Sequence, residues 1–76
     1  MKVYIEVIAK YNQEGQVRPL KIVWEDGRVF EISRITDIRP AASLKSGGIG
    51  LRYSCIINTK PVYLFLDDNK WFIETE

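Results

Sequence analysis

The stretch Pro19 to Ile35 constrains this chain most: an apolar run ending in Trp24, a turn of Glu25, Asp26 and Gly27, and a second apolar run after Arg28. The apolar positions fix its register as a hairpin. A two-residue loop of Asp26 and Gly27 would set Ile22 opposite Glu31 and bury a charge beside a core residue. A three-residue loop, with Gly27 in the left-handed conformation that its missing Cβ permits, sets Ile22 opposite Phe30 and Leu20 opposite Ile32. The other face then pairs Lys21 with Glu31 and Val23 with Val29.

The rest of the chain continues in the same style. Residues 2–9 are rich in β-branched side chains and read as a first strand with Val3, Ile5 and Val7 on its core face. The polar stretch from Lys10 to Val17 reverses the chain, and Pro19 starts the second strand, where its missing N–H does least harm. After the hairpin the apolar spacing widens from two to three, giving Ile32, Ile35 and Ile38. Strict alternation would bury Arg34, so a bulge near Ser33 and Arg34 is expected to bend the third strand. Pro40 to Gly48 has no strand pattern and reads as a long loop in which Ala41 to Lys45 could close one helical turn. Residues 49–57 alternate again, with Leu51, Tyr53, Cys55 and Ile57 inward. A turn at Asn58, Thr59 and Lys60 leads to a fifth strand whose inward residues are Val62, Leu64 and Leu66. The turn Asp68 and Asn69 then sets Leu66 opposite Trp71, Leu64 opposite Ile73, and Asp67 opposite Lys70. The sequence predicts one all-β domain over 1–76: a six-stranded antiparallel meander that forms a small SH3-like barrel or compact sandwich with a bulged third strand. Its expected core is Val3, Ile5, Val7, Leu20, Ile22, Trp24, Phe30, Ile32, Leu51, Tyr53, Ile57, Leu64, Leu66, Trp71 and Ile73.

Composition narrows the function classes. At 76 residues the chain is too short to enclose a large substrate cavity. It has no histidine, so acid and base work would fall to Glu25 with Asp26 or Asp67 with Asp68, all in turns where solvation keeps carboxylates ordinary. The lone cysteine, Cys55, faces inward without a histidine partner, and the usual zinc sets are missing. Gly47, Gly48 and Gly50 lack the lysine and hydroxyl that complete a phosphate-cradling loop. No catalysis, cofactor or metal is therefore expected. One cysteine, and no apolar stretch long enough for a signal peptide or membrane span, points to the cytoplasm and away from membranes. The net charge of +1 provides no overall field for nucleic acid, although residues 28–60 carry six basic side chains against two acidic.

The outward face of the last three strands carries the strongest functional signal. The registers gather Ile56, Tyr63, Phe65 and Phe72 there, with Arg52 near Asp67 and Tyr63 opposite Glu74. Such a face is expected to be covered by the chain itself or to bind a protein partner, either another protein or a second copy, with Lys45 and the 40–48 loop contributing. The alternative is a stacking platform for RNA or single-stranded DNA, with Arg34, Arg39, Arg52 and Lys60 neutralising phosphates.

Pro19, Trp24, Gly27, the Phe30 and Ile32 pair, and the closing Trp71, Phe72, Ile73 and Glu74 together resemble small uncharacterised bacterial β-domains over residues 19–74. That resemblance implies a small bacterial β-protein and assigns no functional residue.

Overall fold

The computed structural model describes residues 1–42 and 49–74. Six antiparallel strands, β1 (Lys2–Tyr11), β2 (Val17–Val23), β3 (Val29–Ala42), β4 (Ile49–Ile57), β5 (Lys60–Asp67) and β6 (Lys70–Glu74), follow one another around a closed barrel. Closure, in preference to two open layers, comes from β1. Its first half pairs with β6, Val3 opposite Ile73 and Ile5 opposite Trp71, and its second half pairs with β2 from Glu6 onward. Every strand thereby has two neighbours, although β2 and β3 share only the three pairs from Val23–Val29 to Lys21–Glu31, and β3 beyond Glu31 pairs with β4 alone.

The turns obey the local rules. Gly27 adopts φ +89° in a three-residue loop where its N–H donates to the Trp24 carbonyl at 2.9 Å and Trp24 N donates to Arg28 O at 2.8 Å. Lys21 then faces Glu31, Ile22 faces Phe30, and Val23 faces Val29, as the hairpin pattern requires. Asp26 ties the loop by accepting from Arg28 N at 3.0 Å, and this bond, followed by that to the Arg28 side chain, holds its carboxyl below the ordinary value. Asn58 with Thr59 and Asp68 with Asn69 all take positive φ, the two-residue turn geometry that matches strand twist. The β5–β6 pairings are those expected from the turn.

Two bulges bend β3. The first leaves Ser33 without a cross-strand partner, as the spacing of Ile32 and Ile35 demands, and the second leaves Thr36 likewise between Ile35 and Asp37. In both, the hydroxyl of the extra residue donates to a β4 carbonyl, Ser33 Oγ to Ile56 O at 2.8 Å and Thr36 Oγ1 to Ser54 O at 3.1 Å. The side chains thus occupy acceptors that the interrupted ladder would otherwise leave open.

Four expectations need correction. Leu20 is exposed, because a bulge between β1 and β2 passes from Ile8 opposite Lys21 to Ala9 opposite Pro19 and leaves Leu20 without a partner on β1. Pro19 is buried in its place, a bulge being where a residue without an N–H is tolerated inside a sheet. Trp24 is half-buried just past the end of β2 and lies outside the core cluster, as does Val3. The centre consists of the expected Ile22, Tyr53, Ile57 and Leu64 together with Cys55, with Ile35 and Val62 packed around it. Finally, Pro40, Ala41 and Ala42 belong to β3, paired with Leu51, Gly50 and Ile49, so the expected loop and helical turn give way to strand there. The remainder of that loop, including Lys45, lies outside the described residues.

Candidate functional site

Strand alternation and register build the outer face as a grid. One transverse row crosses five strands, each residue opposite the next: Tyr4 on β1, Phe72 on β6, Phe65 on β5, Arg52 on β4 and Arg39 on β3. Phe65 and Phe72 stack with centroids 5.1 Å apart and planes 5° from parallel, and Tyr4 meets Phe72 edge-on at 5.7 Å. The Lys2 ammonium lies 4.6 Å from the Phe72 centroid. These contacts leave Phe72 only 6% exposed, so this residue is the filling of the row and not a contact surface. Tyr4 and Tyr63 remain open, 57% and 56% exposed, while Ile56 and Phe65 are half-buried.

Arg52 does not reach Asp67. Its guanidinium lies 4.7 Å from the Tyr63 ring centroid, a cation–π contact that fixes the tyrosine, and its Nε is buried without a hydrogen-bond partner among the described residues. Arg39 is drawn to Asp37, Nε to Oδ2 at 2.6 Å. Arg34 stands exposed opposite Ile56 on the same face. Lys60 sits opposite Ile57 at the end of the β4–β5 hairpin and takes the other face's parity. The structure therefore brings together Tyr63, Phe65, Phe72, Arg39 and Arg52, adds Tyr4, and separates Lys60 from them. A groove of about 360 Å³ beside Tyr63, lined also by Thr36, Asp37, Ile56 and Pro61, continues the face towards β3.

Tyr4 could not be joined to this row from the sequence, because the β1–β6 ladder follows from barrel closure and no turn connects the two strands. The only available signal was the outward parity of Tyr4 on the first strand.

Cys55 is fully buried, and burial pushes its thiol up to about 11. The thiol should resist alkylation in the native protein at pH 8, reacting only after unfolding. Because the folded state holds the proton more tightly, its contribution to stability is complete below the unfolded thiol's pKa near 9 and is lost as pH rises towards 11. Cys55→Ala should therefore flatten that alkaline decline, and denaturant midpoints across this pH range would show it. Burial raises the Tyr53 phenol in the same sense, so a smaller decline should persist in the variant.

The fold and face together define a small closed β-barrel with a preorganised aromatic and arginine surface. Compared with known proteins, the chain matches no family model, no curated protein and no solved structure. The closed barrel itself is consistent with the small β-domain that the resemblance over residues 19–74 implies. No helix among the described residues is long and apolar enough to cross a membrane.

Proposed function

We propose that the chain is a non-catalytic binding module, cytoplasmic and of bacterial type, whose outer face takes a protein partner, a second copy of the chain being the first case to test. The carrying observation is that Tyr4 and Tyr63 flank the Phe65–Phe72 stack and are both held before any partner arrives, Tyr4 by Phe72 and Tyr63 by Arg52. Aromatics immobilised in advance lose little entropy on association, and Tyr and Arg are the residues that dominate protein interfaces. The mixed charge supports a protein over a nucleic acid: Asp37 already occupies Arg39, and Asp67 and Glu74 share the outward parity. Base stacking would also need open ring faces, whereas Phe72 is covered and Arg52 lies over Tyr63.

Sedimentation across a dilution series up to about 1 mM should show a reversible dimer that Tyr4→Ala and Tyr63→Ala each weaken about tenfold; thermal unfolding should be unchanged for the exposed Tyr63 and slightly lowered for Tyr4, whose ring covers Phe72 across the β1–β6 ladder. A monomer throughout would remove self-association and direct the same variants to a pull-down. Co-purified nucleic acid, lost steeply with salt and absent after charge reversal at Arg39 and Arg52, would instead establish the nucleic-acid reading.

A further inference from the structure

At the barrel mouth, where β1 and β2 approach β3 and β4, lies a cleft of about 630 Å³. That volume falls within the range of small-molecule sites. One part of its lining is apolar: Ile38, Leu51 and Tyr53. Ile38 stands opposite Tyr53 in register, yet it is 50% exposed, an apolar side chain with interior parity left open at the mouth. Tyr53 closes the floor and donates its hydroxyl to the Val17 carbonyl at 2.6 Å, which fixes the β2 side of the cleft to β4.

The other part is cationic. The β1–β2 ladder sets Lys10 directly opposite Arg18, one step beyond the inward Ala9–Pro19 pair, so both stand exposed and line the cleft from its rim. Like charges facing each other across an antiparallel pair destabilise it. Elsewhere the fold avoids this cost: Lys21 faces Glu31, and Arg39, which faces Arg52, is paired with Asp37. Lys10 and Arg18 have no acidic partner among the described residues, and no acidic side chain lines the cleft. Glu14 belongs to the adjoining turn but does not line it. That turn is built: Asn12 Oδ1 accepts from Glu14 N and Gln16 N, each at 2.9 Å, and Asn12 Nδ2 donates to Gln16 Oε1 at 2.7 Å. The cleft thus joins a fixed wall, an open apolar floor and two uncompensated cations.

We propose that this cleft binds a small organic anion, a carboxylate or phosphate carried on an apolar body, with Lys10 and Arg18 holding the anionic group and Ile38 and Leu51 receiving the apolar part. An anion between the two cations removes their mutual repulsion and adds charge-assisted hydrogen bonds, while the floor supplies contact area that an inorganic ion cannot use. The proposal is independent of the outer aromatic face, with which the cleft shares no residue.

Amide chemical shifts of the full chain, titrated with 1-naphthyl phosphate, 1-naphthoic acid, 1-naphthol and inorganic phosphate, test it. The expected result is saturable shifts at Gly15 to Arg18 and Leu51 to Tyr53 with one or both organic anions, and binding of 1-naphthol and of inorganic phosphate weaker by about tenfold or more. Which organic anion binds more tightly distinguishes phosphate from carboxylate as the recognised group. Lys10→Gln and Arg18→Gln should each weaken that binding about tenfold, yet melt at the same or a higher temperature, because each removes the like-charge pair. Tyr63→Ala should bind as the parent does. Equal binding of 1-naphthol and the organic anions, unchanged binding by both charge variants, shifts confined to the outer face, or no saturation by about 5 mM would each overturn the proposal.

Discussion

Leu64→Ala should cost about 3–5 kcal/mol, a large share of the roughly 4–11 kcal/mol expected for a domain of this length. Leu64 is completely buried, 0% exposed, and β4 and β6 place Tyr53 and Ile73 on either side of it. The vacancy left by the missing atoms would be apolar and closed, so water could not fill it, and the closed ladders around it limit collapse. Urea unfolding should show a strongly lowered midpoint with an unchanged slope. Leu20→Ala is the control: the same chemical change on the exposed bulge of β2 should stay within about 0.5 kcal/mol of the parent. Equal losses at the two positions would contradict this placement of the core.

Gly50→Ala should destabilise by about 2–3 kcal/mol, although alanine is normally the better residue in a strand. A Cβ at Gly50 would lie 2.7 Å from the Leu66 carbonyl oxygen and 3.2 Å from Asp67 Cβ. The first of these is backbone in the adjacent β5 strand, next to the Leu51–Leu66 pair, and it cannot rotate aside as a side-chain tip would. The change should therefore loosen the β4–β5 ladder locally, with faster amide exchange near Leu51 and Leu66. Gly27→Ala provides the contrast. Nothing lies within 4 Å of a Cβ there, so only the φ of +89° resists, and the cost should be about 1 kcal/mol. A neutral or stabilising Gly50→Ala would mean that the strands do not approach so closely.

The sequence made the hairpins legible because each register is decided locally, by a turn residue and the parity of the apolar positions beside it. The Ile22–Phe30, Leu66–Trp71 and Leu64–Ile73 pairs all follow from that rule. The bulge at Ser33 was visible as a broken alternation that would have buried Arg34. The bulge at Thr36 carried the same signal, a repeat of the three-residue spacing with a hydroxyl residue after the isoleucine, and it could have been read in the same way. The bulge at Leu20 left no such trace, since Leu20, Ile22 and Trp24 alternate without interruption. Only the pairing of β2 with β1 shows that Leu20 turns outward. For the outer face, the parity of Tyr63, Phe65 and Phe72 was readable, but the burial of Phe72 depends on Lys2 and Tyr4 from the far end of the chain. The charge pair at the cleft was hidden for a related reason: Lys10 and Arg18 meet only once the five-residue turn from Asn12 to Gln16 fixes the register.

Barrel closure also has a consequence for the order of assembly. Five of the six ladders join strands that are consecutive in the chain, so each can nucleate through its own connection. The sixth joins β1 to β6, Lys2 opposite Glu74, and closes a loop of nearly the whole chain. The entropy of closing so long a loop grows only slowly with its length, but the contacts that repay it exist only after the intervening strands are in place. The seam should be the last ladder to zip and the first to part. Until it zips, β1 and β6 are bare edges open to strand exchange with another molecule. The Tyr4, Phe72 and Lys2 cluster spans this seam, so Tyr4, assigned to partner recognition, should also serve with the covered Phe72 as the latch that keeps each barrel from borrowing a strand from its neighbour.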